Sequence, residues 1–232
     1  MGIWNTGTTN NTISNNYIGT NADGTAALGG QWFGVGCWSN AQQSTIQGNI
    51  IGSNESDRIH FNGCSKNTIL ANYVGTNTNG TNLGNIGNGI NIFNGSRENV
   101  VGPGNVIAYN KYSGISVSGP ATISNKITRN SIYSSGGSGI GRGNGGNTQI
   151  QPPVITSATA TVVSGTAPPN AIIEIFSDDV DEGRVYEGTT NADSAGNFTF
   201  SKSAGFSRAY LTATATDATG NTTEFSAPKA KS

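Results

Sequence analysis

NTISNNYIG, residues 11–19, is a phrase this chain repeats. It returns as STIQGNIIG at 44–52, NTILANYVG at 67–75, NVVGPGNVI at 99–107 and ATISNKITRNSI at 121–132. A second phrase, a small residue followed by aliphatic-x-apolar, falls between the copies: GVGC at 34–37, GINI at 89–92, GISV at 114–117, with RIHF at 58–61 and GIG at 139–141 as variants. Self-similarity at periods of a few tens of residues is the mark of a stacked repeat architecture. Successive copies are spaced alternately long and short, 33 residues from Ile13 to Ile46 and 23 from Ile46 to Ile69. The long spacings carry the insertions GTNADGTAALGG (19–30) and GTNTNGTNLGNIG (75–87). Without them the unit is one coil of short alternating strands, which predicts a parallel β-helix over residues 1–150. Ile13, Ile46, Ile69, Val101 and Ile123 are the expected inward column.

Asn and Gly punctuate every coil because the corners need backbone conformations with positive φ, which these residues tolerate best. Asn16, Asn49, Asn72 and Asn105 share one place in the coil and should stack as a ladder of amides. Charged residues are only 11% of the chain, but phased aliphatics of this kind are absent from disordered tracts.

The pattern changes near residue 150. Residues 134–149 are rich in Gly and Ser, and Gln151-Pro152-Pro153 reads as a stiff linker. Beyond it, VITSATATVVSGTAPPNAIIEIFSDD, FTFSKS and AYLTATATDATGNTTEFS alternate apolar and polar residues between Asn- and Gly-containing turns. That predicts a small antiparallel β-sandwich over 151–232. Residues 1–150 hold seven Lys/Arg against four Asp/Glu, and 151–232 hold five against nine. Neither half has the basic surface of a nucleic-acid partner. No segment approaches the run of about twenty apolar residues that spans a membrane.

The repeats, together with NYIGTNADGTAALG, NSIYSSGGSGI and the tail strands, resemble the right-handed parallel β-helix proteins of the pectin-lyase-like superfamily. They are similar in particular to secreted or surface-attached bacterial members that end in an immunoglobulin-like or carboxypeptidase-regulatory-like sandwich. The resemblance implies a secreted or cell-surface location. Its implications for activity are broad, since the superfamily includes polysaccharide lyases, hydrolases and adhesins. The chain opens within a coil, at Met1–Trp4, so a fragment of a longer solenoid is expected. An uncapped first coil would favour self-association, and a filament subunit stacked end to end is a further reading.

Candidate chemistry is sparse. The solenoid carries only Asp23, Glu55, Asp57 and Glu98 as acids. The dense group is Glu55, Asp57, Arg58 and His60; with Ile59 and Phe61 inward, Arg58 and His60 should face outward as an acid/base or anion-binding pair. The alternative is a solvated strand edge with local ion pairs. A glycosidase would pair Glu55 or Asp57 with Glu98 across a cleft. With Phe33, Val35 and Cys37 inward, Trp32 and Trp38 emerge beside Asn91 and Phe93, a platform suited to a sugar ring. Trp32 could instead fasten the 19–30 insertion, as Leu28 and Leu83 should. Thr12, Thr45, Thr68 and Thr122 form a single outward column, without the paired column that ice-binding solenoids use.

The spacing of Cys37 and Cys64 places them about 10 Å apart, beyond the roughly 7 Å a disulfide bridges. Two buried thiols are therefore favoured, unless a bend at Asn62-Gly63 closes the gap. In the tail, Asp178, Asp179, Asp181 and Glu182 form an oxygen-rich loop of the kind that holds Ca²⁺, without EF-hand spacing; a solvated hairpin tip is the simpler reading. No other cofactor is expected. The sequence thus points to a β-helix presenting a face to a polysaccharide or a surface protein, with a polysaccharide lyase or glycoside hydrolase as the rival.

Overall fold

The computed structural model describes residues 1–84 and 86–232. Sixteen short strands of the first half wind into three parallel sheets. The first sheet stacks Gly2–Ile3, Val35–Trp38, Ile59–Asn62, Ile90–Phe93, Ile115–Ser118 and Ile140–Gly143. The second stacks Thr12–Ser14, Thr45–Gln47, Thr68–Leu70, Val100–Val101 and Lys126–Ile127. The third stacks Tyr17–Ile18, Ile50–Ile51, Tyr73–Val74, Val106–Ala108 and Ser131–Tyr133. Every coil visits the sheets in the same order, so the expected parallel β-helix is present.

The core is a set of registered columns. Ile13, Ile46, Ile69, Val101 and Ile127 line up in the second sheet. Ile18, Ile51, Val74, Ile107 and Ile132 line up in the third. Ile127, not Ile123, completes the second-sheet column, which corrects the sequence reading of the last coil. Ile123 lies before the strand and is only partly buried. The reason is the corner: Asn125 takes the place of Asn67 and Asn99, and the inward residue follows it by two positions. For the same reason the Thr column ends early. Thr12, Thr45 and Thr68 are in register, but Val100 and Lys126 follow them, while Thr122 is buried elsewhere.

The amide ladder is present and longer than expected. Asn16, Asn49, Asn72 and Asn105 each donate Nδ2 to the next Oδ1 at 2.9–3.0 Å, ending on Asn130. A second ladder, unread in the sequence, runs from Asn67 through Asn99 to Asn125 at 2.9–3.0 Å, and Asn147 closes it by accepting from Asn125 N. Positive φ falls on the residue before each rung: Asn15, Gly48, Ala71, Gly104 and Arg129 before the first ladder, and Lys66, Glu98 and Ser124 before the second. The rungs are Asn for their amides, which satisfy buried backbone groups, rather than for conformational tolerance.

Cys37 and Cys64 form a disulfide with Cα atoms 6.2 Å apart, correcting the expectation of two thiols. Gly63 at φ 69° bends the chain directly after the strand, so the strand-length estimate of their separation fails.

The second half consists of two antiparallel sheets sharing one core. Val154–Ala158, Val162–Thr166 and Asn197–Ser201 form one; Val185–Asn191, Ile172–Asp178, Tyr210–Thr216 and Lys229–Ala230 form the other. This unit covers the last coil. Gly183 pairs with Ile132 on the third sheet, Thr222 Oγ1 accepts from Ile127 N on the second at 2.9 Å, and Phe225 packs on the solenoid core. In the first sheet, the inward column Ile3, Cys37, Phe61, Ile92, Val117 ends on Arg142. The Arg142 guanidinium bonds Glu224 and donates to Ile150 O at 2.7 Å, so the dry interior ends in an ion pair with the sandwich. At the last coil the third sheet's edge, which could otherwise recruit another chain, is thereby paired.

Candidate functional site

The outer face of the first sheet gathers the residues of interest. Register sets Gly36, His60, Asn91, Ser116 and Gly141 in one outward column, and Trp38, Asn62 and Phe93 in another. Trp38 folds back over Gly36, where a Cβ would lie only 1.8 Å from Cη2 of the ring. Trp4 covers Gly2 in the same way and stacks on Trp38 with centroids 4.0 Å apart and planes 12° apart. Trp4 was missed in the sequence, though Gly2-Ile3-Trp4 repeats the spacing of Gly36-Cys37-Trp38.

His60 is the hub of the aromatic group. Its ring lies 4.1 Å from Phe33, 4.8 Å from Phe93 and 5.6 Å from Trp38. Phe33 is therefore on the outside, contrary to the inward assignment. It precedes the strand that starts at Val35, and alternation holds only within a strand. Trp32 stands edge-on to Phe33 and is 65% exposed, so it does not fasten the insertion. Leu83 is buried and does so for the 75–87 insertion, whereas Leu28 is exposed.

Asp57 organises the polar side. Its Oδ2 accepts from His60 Nδ1 at 3.0 Å and Asn91 Nδ2 at 2.9 Å, and its Oδ1 accepts from Asn88 N at 3.0 Å and Asn88 Nδ2 at 3.1 Å. Burial pushes the Asp57 carboxyl up, but the bonds from His60, Asn91 and Asn88 outweigh it and hold it below the usual carboxylate range. An ionised carboxylate only accepts, so His60 Nδ1 must donate, and in the neutral ring Nε2 is left as the acceptor.

Arg58 does not join this face. Its side chain is fully buried and donates Nη2 to Leu83 O at 2.6 Å, tying the 75–87 insertion to the coil. Arg58 precedes the strand beginning at Ile59, so the alternation that would have turned it outward does not reach it. Burial lowers its guanidinium to about 9. Glu55 is exposed at the rim, with its N–H on Gln31 O. Glu98 sits beyond the other end of the four-residue strands, beside Lys66 and Arg97 at 3.8 and 3.7 Å. Such a strand spans about 13 Å, more than the roughly 5–9.5 Å across which glycosidase carboxylates work.

In the tail, Asp179 pairs with Arg208 and Arg184, while Glu182 accepts from Ser135 N at 3.1 Å across the junction. Burial pushes the Glu182 carboxyl up to about 7 and raises that of Asp178. Among the described residues, no three of His, Cys, Asp and Glu are gathered to hold a metal ion. No helix among them is long and apolar enough to cross a membrane. Set against known proteins, the chain matches no family model and no curated sequence.

Proposed function

We propose that this is a secreted or cell-surface protein whose first sheet binds a glycan. The observation that carries the reading is the ring cluster Trp4, Trp38, Phe33, His60 and Phe93 on one outer face, with Trp32 exposed at its rim. Apolar ring surface beside Asn62 and Asn91 suits the two sides of a sugar, its C–H faces and its hydroxyls. Among the described residues nothing donates to Asn91 Oδ1, which leaves it available to a ligand hydroxyl. The disulfide within the core supports an oxidising compartment.

Chemistry on a bound polysaccharide is less favoured. The acceptor positions of Asp57 are taken by protein donors, and Glu98 stands at the opposite corner. The test is retention of the protein on immobilised polysaccharides, with product analysis of the same mixtures. Trp32→Ala and Trp4→Ala should each weaken retention about tenfold, whereas Arg58→Met should leave it unchanged. Retention unaffected by both tryptophan variants would defeat the proposal. So would new reducing or unsaturated ends that disappear in His60→Ala, which would make the face catalytic.

A further inference from the structure

We infer that the ligand of this face is an uncharged sugar polymer rather than a uronate or sulfated one. The inference rests on the glycan-binding reading and adds the chemical class. None of the outward positions of the first sheet described above is Lys, Arg, Asp or Glu, and His60, the one titratable side chain among them, is bonded to the Asp57 carboxylate. A carboxylate or sulfate laid on the face would lose water without gaining a cation, which is strongly unfavourable.

The neighbouring Lys and Arg side chains sit elsewhere, and the Met1 ammonium donates to Gly34 O at 2.8 Å. Arg58, which the sequence placed on this face, is buried and bonded to Leu83 O. Lys66 and Arg97 neighbour Glu98 at the far corner. Lys111 is held over the Tyr112 ring at 5.8 Å, ahead of a strand two places along from that of His60.

The charges that do border the rings are negative. Glu55 is exposed next to Trp32, whose carbonyl accepts from Ser56 N at 3.0 Å. Asp57 lies directly under His60. What remains on the surface is amide, hydroxyl and ring: Asn62, Asn91 and Ser116 beside the aromatics. Amides both donate and accept, as sugar hydroxyls do.

The experiment is calorimetric titration with matched hexasaccharides. Neutral probes are cello-, manno- and chito-oligomers; anionic probes are oligogalacturonate, oligoalginate and a heparin fragment. At least one neutral probe should bind, with every anionic probe about tenfold weaker or more. The neutral affinity should stay level between about 50 and about 500 mM NaCl, because screening acts only on charge pairs. Ser116→Lys should raise oligogalacturonate affinity about tenfold by supplying the missing cation. Tight anionic binding that weakens with salt would overturn the inference and leave the glycan reading standing. Binding of none of the probes would overturn both.

Discussion

The solenoid and the sandwich bury polar groups by opposite means. Inside the solenoid the buried polar side chains are mostly neutral amides, Asn49, Asn67, Asn72, Asn99, Asn105, Asn125 and Asn130 among them. Each rung bonds the next coil, so the polarity is satisfied without any ionised group. Apart from Arg142 at the junction, its buried charges among the described residues, Asp57 and Arg58, sit at the insertion corner. The sandwich and its junction use carboxyl groups instead: Glu174, Asp178, Glu182 and Glu187 are all buried. Glu174 accepts from Arg129 N at 2.9 Å, and Glu182 from Ser135 N, both across the junction. A repeat can reuse one neutral device in every coil. A single docking surface has no such translation, and it is held by individual charged contacts. The fall in stability towards neutral pH should therefore arise at the junction, where Glu182 and Asp178 are raised.

The largest effect should come from breaking a ladder at its middle. Asn72→Ala removes a side chain bonded to Asn49, Asn105, Ile46 O and Leu70 O. With several buried partners left unpaired, a loss of about 4 kcal/mol is expected in chemical denaturation. Asn16→Ala, at the exposed end, should cost about 1 kcal/mol, and equal losses would show that the ladder does not act through burial.

Next in size is the disulfide, which closes a separation of 27 residues wholly within the solenoid. Cys37→Ala with Cys64→Ala should lower stability by about 3.5 kcal/mol on chain-entropy grounds. The change should leave the pH profile untouched; an altered profile would mean that the two regions are not separable in this way.

The junction supplies the third prediction. Glu182 titrates at about 7 in the folded protein against an ordinary 4.5. The folded state therefore holds a proton that the unfolded chain releases, a stabilisation complete below pH 4.5 and lost as pH rises through 7. Asp178 is raised as well and acts in the same direction. Wild-type unfolding free energy should fall by up to about 3 kcal/mol from pH 4.5 to 8, and Glu182→Gln should flatten most of that slope. A slope that survives the substitution would place the sensitivity elsewhere.

The smallest effect concerns the outer face alone. Gly36→Ala puts a methyl where the Trp38 ring lies. Stability should fall by about 1 kcal/mol, with a shift in tryptophan emission as the Trp4–Trp38 stack opens. An unchanged spectrum would mean that the stack does not depend on the glycine.

Much of this was legible from residue types and spacing. The repeat of Asn-Thr-Ile phrases predicted the parallel coils, and Asn16, Asn49, Asn72 and Asn105 predicted their ladder, because a translational fold writes its period into the chain. Trp38, His60, Asn91 and Phe93 were placed on one face by alternation, since all four lie within strands. Arg58 and Phe33 were misplaced because each precedes its strand, where alternation has no meaning. The Cys37–Cys64 pairing was misjudged because a single bend at Gly63 outweighs the extended geometry assumed for the segment.

Residue order alone dictated the architecture: phased aliphatics separated by Asn and Gly have one efficient way to bury their apolar faces, which is to stack. Tertiary structure decided what the surface offers, because the direction of a side chain at a corner depends on which insertion or neighbouring coil covers it. Arg58 went beneath the 75–87 insertion and Arg142 into the sandwich junction, and the face that carries the rings was left without Lys or Arg.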